Sequence, residues 1–253
     1  MPPENAAAPE TPDICPDCEK PRTLCVCDRT VTLRTRTRVL VLQHPQEPDK
    51  LLGTAKLVER SLQGAQVRVG LSWASLAHAL DDDSIDPKRW GVLYTGSLPR
   101  KLTAAEAKKP VVILDRNGHA LDLAKRPLDG IVLLDGTWSQ AKTLWWRNAW
   151  MLKLPRVLLH PAQPSAYGRL REQSQRDHLA TIEAAAETLA GLGEKPAVKE
   201  QLMKLFRTML QRARDAQTAG LPGAPPMPKK GPPGRVSKKK LAAKKGRGAG
   251  PMD

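Results

Sequence analysis

An aspartate at the end of an apolar run is the residue of this sequence best suited to do chemistry. Asp135 follows the run 131–134, and Gly136, Thr137 and Trp138 then open a polar, helix-like segment. In α/β proteins, ligands bind where the carboxyl ends of buried strands meet helix N-termini. A carboxylate there can accept a proton, but an acid before Gly-Thr is also a common turn former or helix cap. Taken alone, the segment favours the structural interpretation over the catalytic one.

Four cysteines lie within thirteen residues near the N-terminus. Cys15 and Cys18 form a CxxC pair, and Cys25 and Cys27 form a CxC pair six residues later. Two chelating pairs on a short loop can wrap a tetrahedral zinc ion, for which four thiolates form a closed structural site. Redox cysteines and two disulfides are the alternatives, but a second pair this close favours zinc. We therefore predict a small zinc-binding segment with four cysteine ligands over residues 13–30.

Two loop segments carry polar residues that could contact a ligand. His44 and Glu47 follow a predicted strand, and Tyr167 is followed by Arg169 and Arg171. Arginine side chains bind phosphates or carboxylates at two points, and an adjacent tyrosine offers a stacking face. Each segment by itself is at least as well explained by a satisfied turn or a solvated loop.

The helix after Asp135 is rich in tryptophan. Trp138 and Trp145 are predicted to share one of its faces, with Trp146 beside them. Indole rings at this spacing are more often core residues than a cofactor-binding set, although Trp138 at the helix start could cap a pocket.

Strand and helix patterns alternate along the chain. Apolar runs predict strands at 38–43, 65–69, 90–94, 111–115, 131–135 and 157–160. Helical periodicity predicts helices at 51–62, 73–80, 104–108, 139–151, 178–192 and 197–217. This alternation predicts an α/β fold, in which helices cover both faces of a mainly parallel sheet.

Composition separates a folded unit from two tails. Residues 1–12 and 220–253 are predicted to be disordered, which leaves 13–219 as the folded unit. The formal net charge is +15, and residues 224–253 alone carry nine Lys or Arg and one acid. Such a tail either binds nucleic acid through its charge or acts as a solubilising extension. Because no apolar run approaches the length of a membrane span or a secretion signal, we expect a cytoplasmic protein with no membrane segment.

Taken together and in order, these segments resemble the DTW-domain family. The residues that carry the resemblance are Asp135, Thr137 and Trp138, the four cysteines, His44-Pro45-x-Glu47 with Thr54-Ala55, Ser165-x-Tyr167 with Arg169-x-Arg171, and Thr181-x-Glu183-Ala184. The resemblance covers residues 15–192. It departs from the family at Gly53, where an asparagine is favoured, and at Tyr94-Thr95-Gly96-Ser97, where relatives more often show a proline after the aromatic residue.

The resemblance implies a tRNA-uridine aminocarboxypropyltransferase. Such an enzyme transfers the 3-amino-3-carboxypropyl group of S-adenosylmethionine to N3 of a uridine in tRNA and releases methylthioadenosine. The resemblance also implies a SPOUT-like fold, in which a knotted C-terminal part holds the cofactor. We expect tRNA as the partner and a monomeric protein.

The resemblance also implies roles for individual residues. Asp135, Thr137 and Trp138 are the expected catalytic residues, and whether Asp135 removes the N3 proton or only positions the uracil stays open. The expected cofactor-binding residues are Tyr94, Thr95, Gly96, Leu133, Leu134, Gly136, Gln140 and Tyr167. The expected RNA-binding residues are His44, Glu47, Lys50, Lys142, Arg169 and Arg171.

Two other functions are compatible with parts of the sequence. A SPOUT-like RNA methyltransferase would share the fold and the cofactor but would transfer the methyl group and release adenosylhomocysteine. A non-enzymatic zinc-ribbon RNA-binding protein would explain the cysteines and the basic tail. The Asp-Gly-Thr-Trp junction argues against this last function, because a protein that only binds RNA needs no buried cofactor cleft.

Overall fold

A six-stranded sheet forms the centre of the computed structural model, which describes residues 13–48, 50–94, 101–122, 124, 127–161, 163–170 and 179–226. Its strands are β1 (Arg38–Gln43), β2 (Gln66–Val69), β3 (Trp90–Leu93), β4 (Val111–Leu114), β5 (Gly130–Asp135) and β6 (Arg156–Leu159). Their order is β2-β1-β5-β3-β6-β4, and all neighbours are parallel except β4, which runs antiparallel to β6 at one edge. The predicted mainly parallel sheet is confirmed, with strand ends within one residue of the predicted ones.

The α-helices of the described residues alternate with these strands except between β4 and β5, and two helices follow the last strand. They are α1 (Ala55–Ser61), α2 (Leu76–Leu80), α3 (Ala104–Ala107), α4 (Trp138–Arg147), α5 (Thr181–Gly191) and α6 (Pro196–Thr218). None of the described helices, including α6 with its 23 residues, is both long and apolar enough to cross a bilayer. The knot implied by the resemblance stays a prediction.

Side-chain hydrogen bonds explain two of the differences between the observed and the predicted helices. The helix predicted from residue 73 begins at Leu76, because the Ser75 side chain accepts a hydrogen bond from the His78 backbone N–H at 3.0 Å. Helix α4 ends at Arg147 instead of residue 151, because the amide of Asn148 bonds back to the Leu144 carbonyl at 2.8 Å. Local caps of this kind override hydrophobic periodicity.

Alternate residues of the central strands pack against different layers. Val39 and Val41 of β1 lie in the core formed with α1, α5 and α6, whereas Leu40 and Leu42 lie in the core formed with α2. All four side chains are at most 1% exposed. This alternation confirms that helices cover both faces of the sheet, as expected for parallel strands.

The cysteine segment packs against α6. Leu24 and Val26 are fully buried in the same core as α6, and Arg212 of this helix donates to Asp28 at 2.8 and 2.9 Å and to the Cys25 carbonyl. The Arg212 guanidinium also lowers the pKa of Asp28. The segment is therefore part of the main domain and shares its core.

The chain after α6 stays attached to the domain as far as Pro226. The Gln217 side-chain amide donates to the Pro226 carbonyl at 2.9 Å, and the Thr23 hydroxyl donates to the Pro222 carbonyl at 3.4 Å. The predicted boundary at residue 220 is therefore early by several residues. The predicted disordered segment 1–12 and the Lys-rich part of the tail lie outside the described residues.

Candidate active site

The carboxylate of Asp135 is held from two sides at the carboxyl edge of the sheet. Asp135 ends β5 opposite Gln43, which ends β1. The Gln43 amide donates to Oδ2 of Asp135 at 2.7 Å, and the hydroxyl of Thr181, at the start of α5, donates to Oδ1. A carboxylate has about four acceptor positions on its two oxygens. Two donors therefore set its orientation and leave it able to accept a further proton.

Thr137, and not Asp135, caps the helix that follows. The Thr137 hydroxyl accepts from the Gln140 backbone N–H at 3.4 Å, and the Gln140 side-chain oxygen accepts from the Thr137 N–H at 2.6 Å. This reciprocal capping box fixes the start of α4. The helix-cap interpretation of Asp135, which the sequence segment alone favoured, is therefore wrong.

The turn after β1 contacts the turn after β5. The Gln140 side-chain amide donates to the Gln46 side-chain oxygen at 3.1 Å, and the His44 N–H donates to the Asp135 carbonyl at 3.0 Å. A Cβ atom at Gly136 would lie 2.8 Å from Cβ of Gln140. Glycine at this position therefore leaves room for Gln140 in the first turn of α4.

The predicted RNA-binding residues of the first turn have different environments. The Glu47 side chain is buried, at 3% exposure, and lines a small cavity beside Cys18, so it does not face a polyanion at the surface. The burial of Glu47 therefore contradicts its predicted contact with RNA. Lys50 and Lys142 are exposed, and His44 is half-buried.

Lys20 is a buried cation at this end of the sheet that the sequence did not indicate. It is 5% exposed, donates to the Lys50 carbonyl at 2.8 Å and lines the same cavity as Gln43. Burial lowers the pKa of Lys20, an effect opposed by Cys18 and by Asp135. A Cβ atom at Gly53 would lie 3.2 Å from the Lys50 carbonyl oxygen, so glycine leaves room at the group to which Lys20 donates.

Tyr167 belongs to the core. Its ring is 1% exposed and packs edge-on against Phe206 at a centroid distance of 5.0 Å, while its hydroxyl donates to the Leu52 carbonyl at 2.6 Å. No exposed ring face is left to stack on a ligand. The structure therefore contradicts the prediction that Tyr167 contacts the cofactor. Tyr167 instead holds its own loop against the core.

Glu183 clamps the same loop to α5. Its carboxylate accepts from the Ser165 hydroxyl at 2.6 Å, from the Ala166 N–H at 2.8 Å and from the Ala180 N–H at 2.8 Å, and it is 3% exposed. The motif residue Thr54 accepts in turn from the Ile182 N–H at 3.1 Å. These contacts hold the start of α5, and with it Thr181, against the end of β5.

A second aromatic group lies at the end of the neighbouring strand β3. The Tyr94 ring is half-buried, lies 5.0 Å from the Trp145 ring and is covered by the Arg156 guanidinium at 4.9 Å. The ladder between β3 and β5 ends at the Val92–Val132 pair, so Leu133 and Leu134 lie beyond it. Trp138 is 38% exposed at the start of α4.

Some predicted site residues fall outside what the structure describes. They are Thr95, Gly96 and Arg171, together with the side chain of Arg169.

The four cysteines form one cluster. Their sulfur atoms all lie within 4.8 Å of one another, and none of the four is in a disulfide. Zn–S bonds of about 2.3 Å in a tetrahedron place sulfur atoms about 3.8 Å apart. The Cys15 and Cys27 sulfurs are separated by 3.8 Å. The geometry therefore fits one tetrahedral ion.

The protonation of two of these thiols is shifted in opposite directions. A hydrogen bond from the Cys18 backbone N–H lowers the pKa of Cys15 to about 7, whereas burial raises the pKa of Cys18 to about 11. A buried thiol of this kind gives up its proton when a metal ion compensates the charge. The chemistry of the cluster, like its geometry, is that of a cation site.

Comparison with known proteins identifies the family. The sequence model of the DTW domain matches residues 12–214, a range that includes the cysteine cluster, Asp135 and α5. The chain belongs to the DTW domain family. Within this DTW domain, the family motifs converge in space: Thr181 contacts Asp135, and Glu183 holds the Ser165–Tyr167 loop.

Several curated relatives carry the name tRNA-uridine aminocarboxypropyltransferase 2. Those from Macaca fascicularis and Mus musculus are each 26% identical over 203 residues, which cover 77% of this chain and 61% of each relative. The relative from Drosophila melanogaster is 25% identical over 216 residues, which cover 83% of this chain and 79% of the relative. The chain thus spans less than two thirds of the mammalian relatives. No solved structure matches it.

Sequence reasoning missed two contacts of this DTW domain site. Gln43 was absent from the predicted site, although its place at a strand end before His44-Pro45 was a usable signal. Lys20 lies between the two cysteine pairs, and no local pattern marks it as buried. Both become site residues only because β1 and the cysteine segment meet at the end of β5.

Proposed function

We propose that this protein is a tRNA-uridine aminocarboxypropyltransferase with S-adenosylmethionine as the donor and N3 of a uridine as the acceptor. The observation that carries the proposal is the Asp135 carboxylate, held by Gln43 and Thr181 at the edge of the sheet where α/β proteins bind ligands. The names of the curated relatives support the same activity.

Asp135 acts on the uracil N3–H in this proposal. The neutral N3–H group is a poor nucleophile until it loses its proton, and a carboxylate within hydrogen-bond reach can take it. Gln43 and Thr181 hold the two oxygens, so the carboxylate is already oriented when the base arrives. The N3 proton passes to Asp135 as N3 forms a bond to Cγ of the methionine part of S-adenosylmethionine and the bond between this Cγ and the sulfur breaks. For this step, the uridine lies in a loop or is flipped out of its stack.

The residues around Asp135 suit the cofactor. S-Adenosylmethionine, when bound, supplies the electrophilic carbon and the methylthioadenosine leaving group. Beyond its ladder with β3, β5 turns the backbone groups of Leu134 toward an adenine edge, whereas those of Leu133 point toward β1. Tyr94 and Trp138 supply aromatic rings nearby. Attack at Cγ instead of the methyl carbon depends on how these groups fold the methionine arm, because orientation selects between two reactive carbons.

The product of the reaction tests the proposal. The full-length protein is incubated with S-adenosylmethionine and bulk tRNA, and the nucleosides and cofactor products are identified by mass. We expect a uridine heavier by one aminocarboxypropyl group and an equal amount of methylthioadenosine. Methylated nucleosides with adenosylhomocysteine would instead identify a methyltransferase, and absence of cofactor binding would identify a protein that only binds RNA.

The Lys-rich tail contributes to tRNA binding through its charge. Truncation after Pro226 removes nine Lys or Arg and one acid. We expect a weaker affinity for tRNA, with a loss that is large at about 50 mM salt and small at about 200 mM, because the tail acts by counterion release. The matched control replaces the nine basic residues by serine and keeps the length of the tail. Unchanged affinity of both variants at low salt would show that the tail serves another purpose.

A further inference from the structure

Helix α4 presents an aromatic and basic ridge to solvent. Trp146 is 74% exposed, Lys142 lies exposed one turn earlier, and Trp138 is 38% exposed one turn before that. Residues four apart form one of the surface ridges of a helix. We call Trp138, Lys142 and Trp146 the α4 ridge.

The outward position of Trp146 contradicts the prediction from spacing. Its neighbour Trp145 turns inward, packs 5.0 Å from the Tyr94 ring and joins the core on that face of the sheet. Trp146 therefore leaves a large apolar ring in water. An exposed indole is unfavourable in water because its face is apolar. At an interface it is favourable, because it supplies a large contact area and only two side-chain torsion angles have to be ordered.

The chain segment that contains the ridge carries charges of one sign. From residue 136 to residue 171 the sequence contains six Lys or Arg and no Asp or Glu. Two of these cations, Lys142 and Arg147, lie on α4 and are exposed. Flat rings flanked by cations match a partner with flat bases and regularly spaced phosphates, which is a nucleic acid. An acidic protein would satisfy the charges but would offer no planar group for each ring.

The ridge is continuous with the candidate active site. Helix α4 begins three residues after Asp135, and a rise of about 1.5 Å per residue places the Trp146 backbone about 12 Å along the axis from Trp138. At about 3.4 Å per stacked nucleotide, this length corresponds to roughly three or four nucleotides. An RNA strand whose target base lies at Asp135 is therefore long enough to place its flanking bases at Trp146.

We propose that the α4 ridge is a stacking surface for unpaired nucleotides that flank the target uridine. In this arrangement Trp146 stacks on a base and Lys142 contacts a phosphate. This inference rests on the proposed tRNA substrate, and it assigns the binding of unpaired bases to a surface that begins at Trp138 beside the catalytic site and extends away from it to Trp146.

Binding measurements without cofactor test the ridge. Affinity for a labelled tRNA is measured by fluorescence anisotropy at several salt concentrations for the wild type, Trp146→Ala, Trp146→Phe and Lys142→Ala, with Val31→Ala as an exposed apolar control. We expect Trp146→Ala to raise Kd by about 5- to 50-fold with an unchanged salt slope, because stacking is not ionic. Trp146→Phe retains most of the affinity. Lys142→Ala lowers the slope of log Kd against log salt by about 0.7 to 0.9, the loss of one phosphate contact.

The outcomes separate this inference from the proposed function. If the wild type binds tRNA and Trp146→Ala binds it with the same Kd, the inference about the ridge is wrong and the proposed function is unaffected. The same conclusion follows if Trp146→Ala loses as much affinity for a blunt RNA duplex, which has no unpaired bases, as it loses for tRNA. Absence of wild-type binding to any tRNA would overturn both the ridge and the proposed function. Circular dichroism verifies that each variant is folded.

Discussion

Replacement of Asp135 by asparagine is expected to abolish aminocarboxypropyl transfer while the protein stays folded and binds tRNA. An amide has the size of the carboxylate and can still accept a hydrogen bond from Gln43 or Thr181, but it cannot take the N3 proton. Loss of a general base typically lowers a rate by about 10²- to 10⁴-fold. Single-turnover rates on tRNA, with the modified nucleoside quantified by mass, measure the effect.

A matched control and two positioning variants sharpen this experiment. Asp215→Asn makes the same change at an exposed position on α6 and should leave the rate unchanged. Gln43→Leu and Thr181→Val each remove one donor to the carboxylate. We expect a loss of about 10- to 100-fold from each, since a hydrogen bond to a charged group contributes about 1.5–3 kcal/mol. A near-normal turnover of Asp135→Asn would show that the carboxylate does not take the N3 proton. The role of residue 135 would then be to orient the turns after β1 and β5.

Loss of the metal from the cysteine cluster is expected to destabilise the whole domain. The purified protein should hold about one equivalent of zinc, and Cys18→Ser should lose it, because a structural site needs all four ligands. The segment shares a core with α6 through Leu24 and Val26, so its unfolding exposes the core of the domain. In a protein of this size, each kcal/mol lost lowers the melting temperature by about 2–4 °C, and we expect a fall of about 10 °C or more.

Metal analysis and thermal melting in parallel decide the role of the cluster. Arg29→Ala changes an exposed side chain of the same segment and serves as the control. Thiols must lose protons to bind zinc, so uptake should release protons and weaken as the pH falls. Less than half an equivalent of zinc in a protein with four intact thiols would contradict the prediction. Chelation without any change in melting temperature would show that the metal does not stabilise the fold.

The strand pattern was predictable because it depends on burial along a short segment. The run 131–134 is apolar at every position, which is typical of a strand covered on both faces, and β5 indeed lies in the middle of the sheet. The helix ends were less predictable. Ser75 and Asn148 set them through side-chain hydrogen bonds whose partners depend on the local backbone.

The roles of individual motif residues were also less predictable than the strand positions. Tyr167 was expected to contact the cofactor, and Glu183 belongs to a motif of the family, yet both are buried and hold a loop in place. Trp146 has the spacing of a core residue but is exposed. Spacing along a helix determines which residues are neighbours, but not which face the rest of the chain covers.

Local composition and spacing were sufficient to predict the α/β class, the strand positions and the cysteine cluster, and the resemblance of the ordered motifs indicated the family. The environment of Asp135 depends instead on the tertiary structure. Its contacts come from Gln43, 92 residues earlier, and Thr181, 46 residues later. Parallel strands bring distant segments to one edge of a sheet, and no local pattern encodes which of them meet there. The aspartate that resembled a helix cap is a carboxylate held by two donors because β1 and α5 meet at the end of β5.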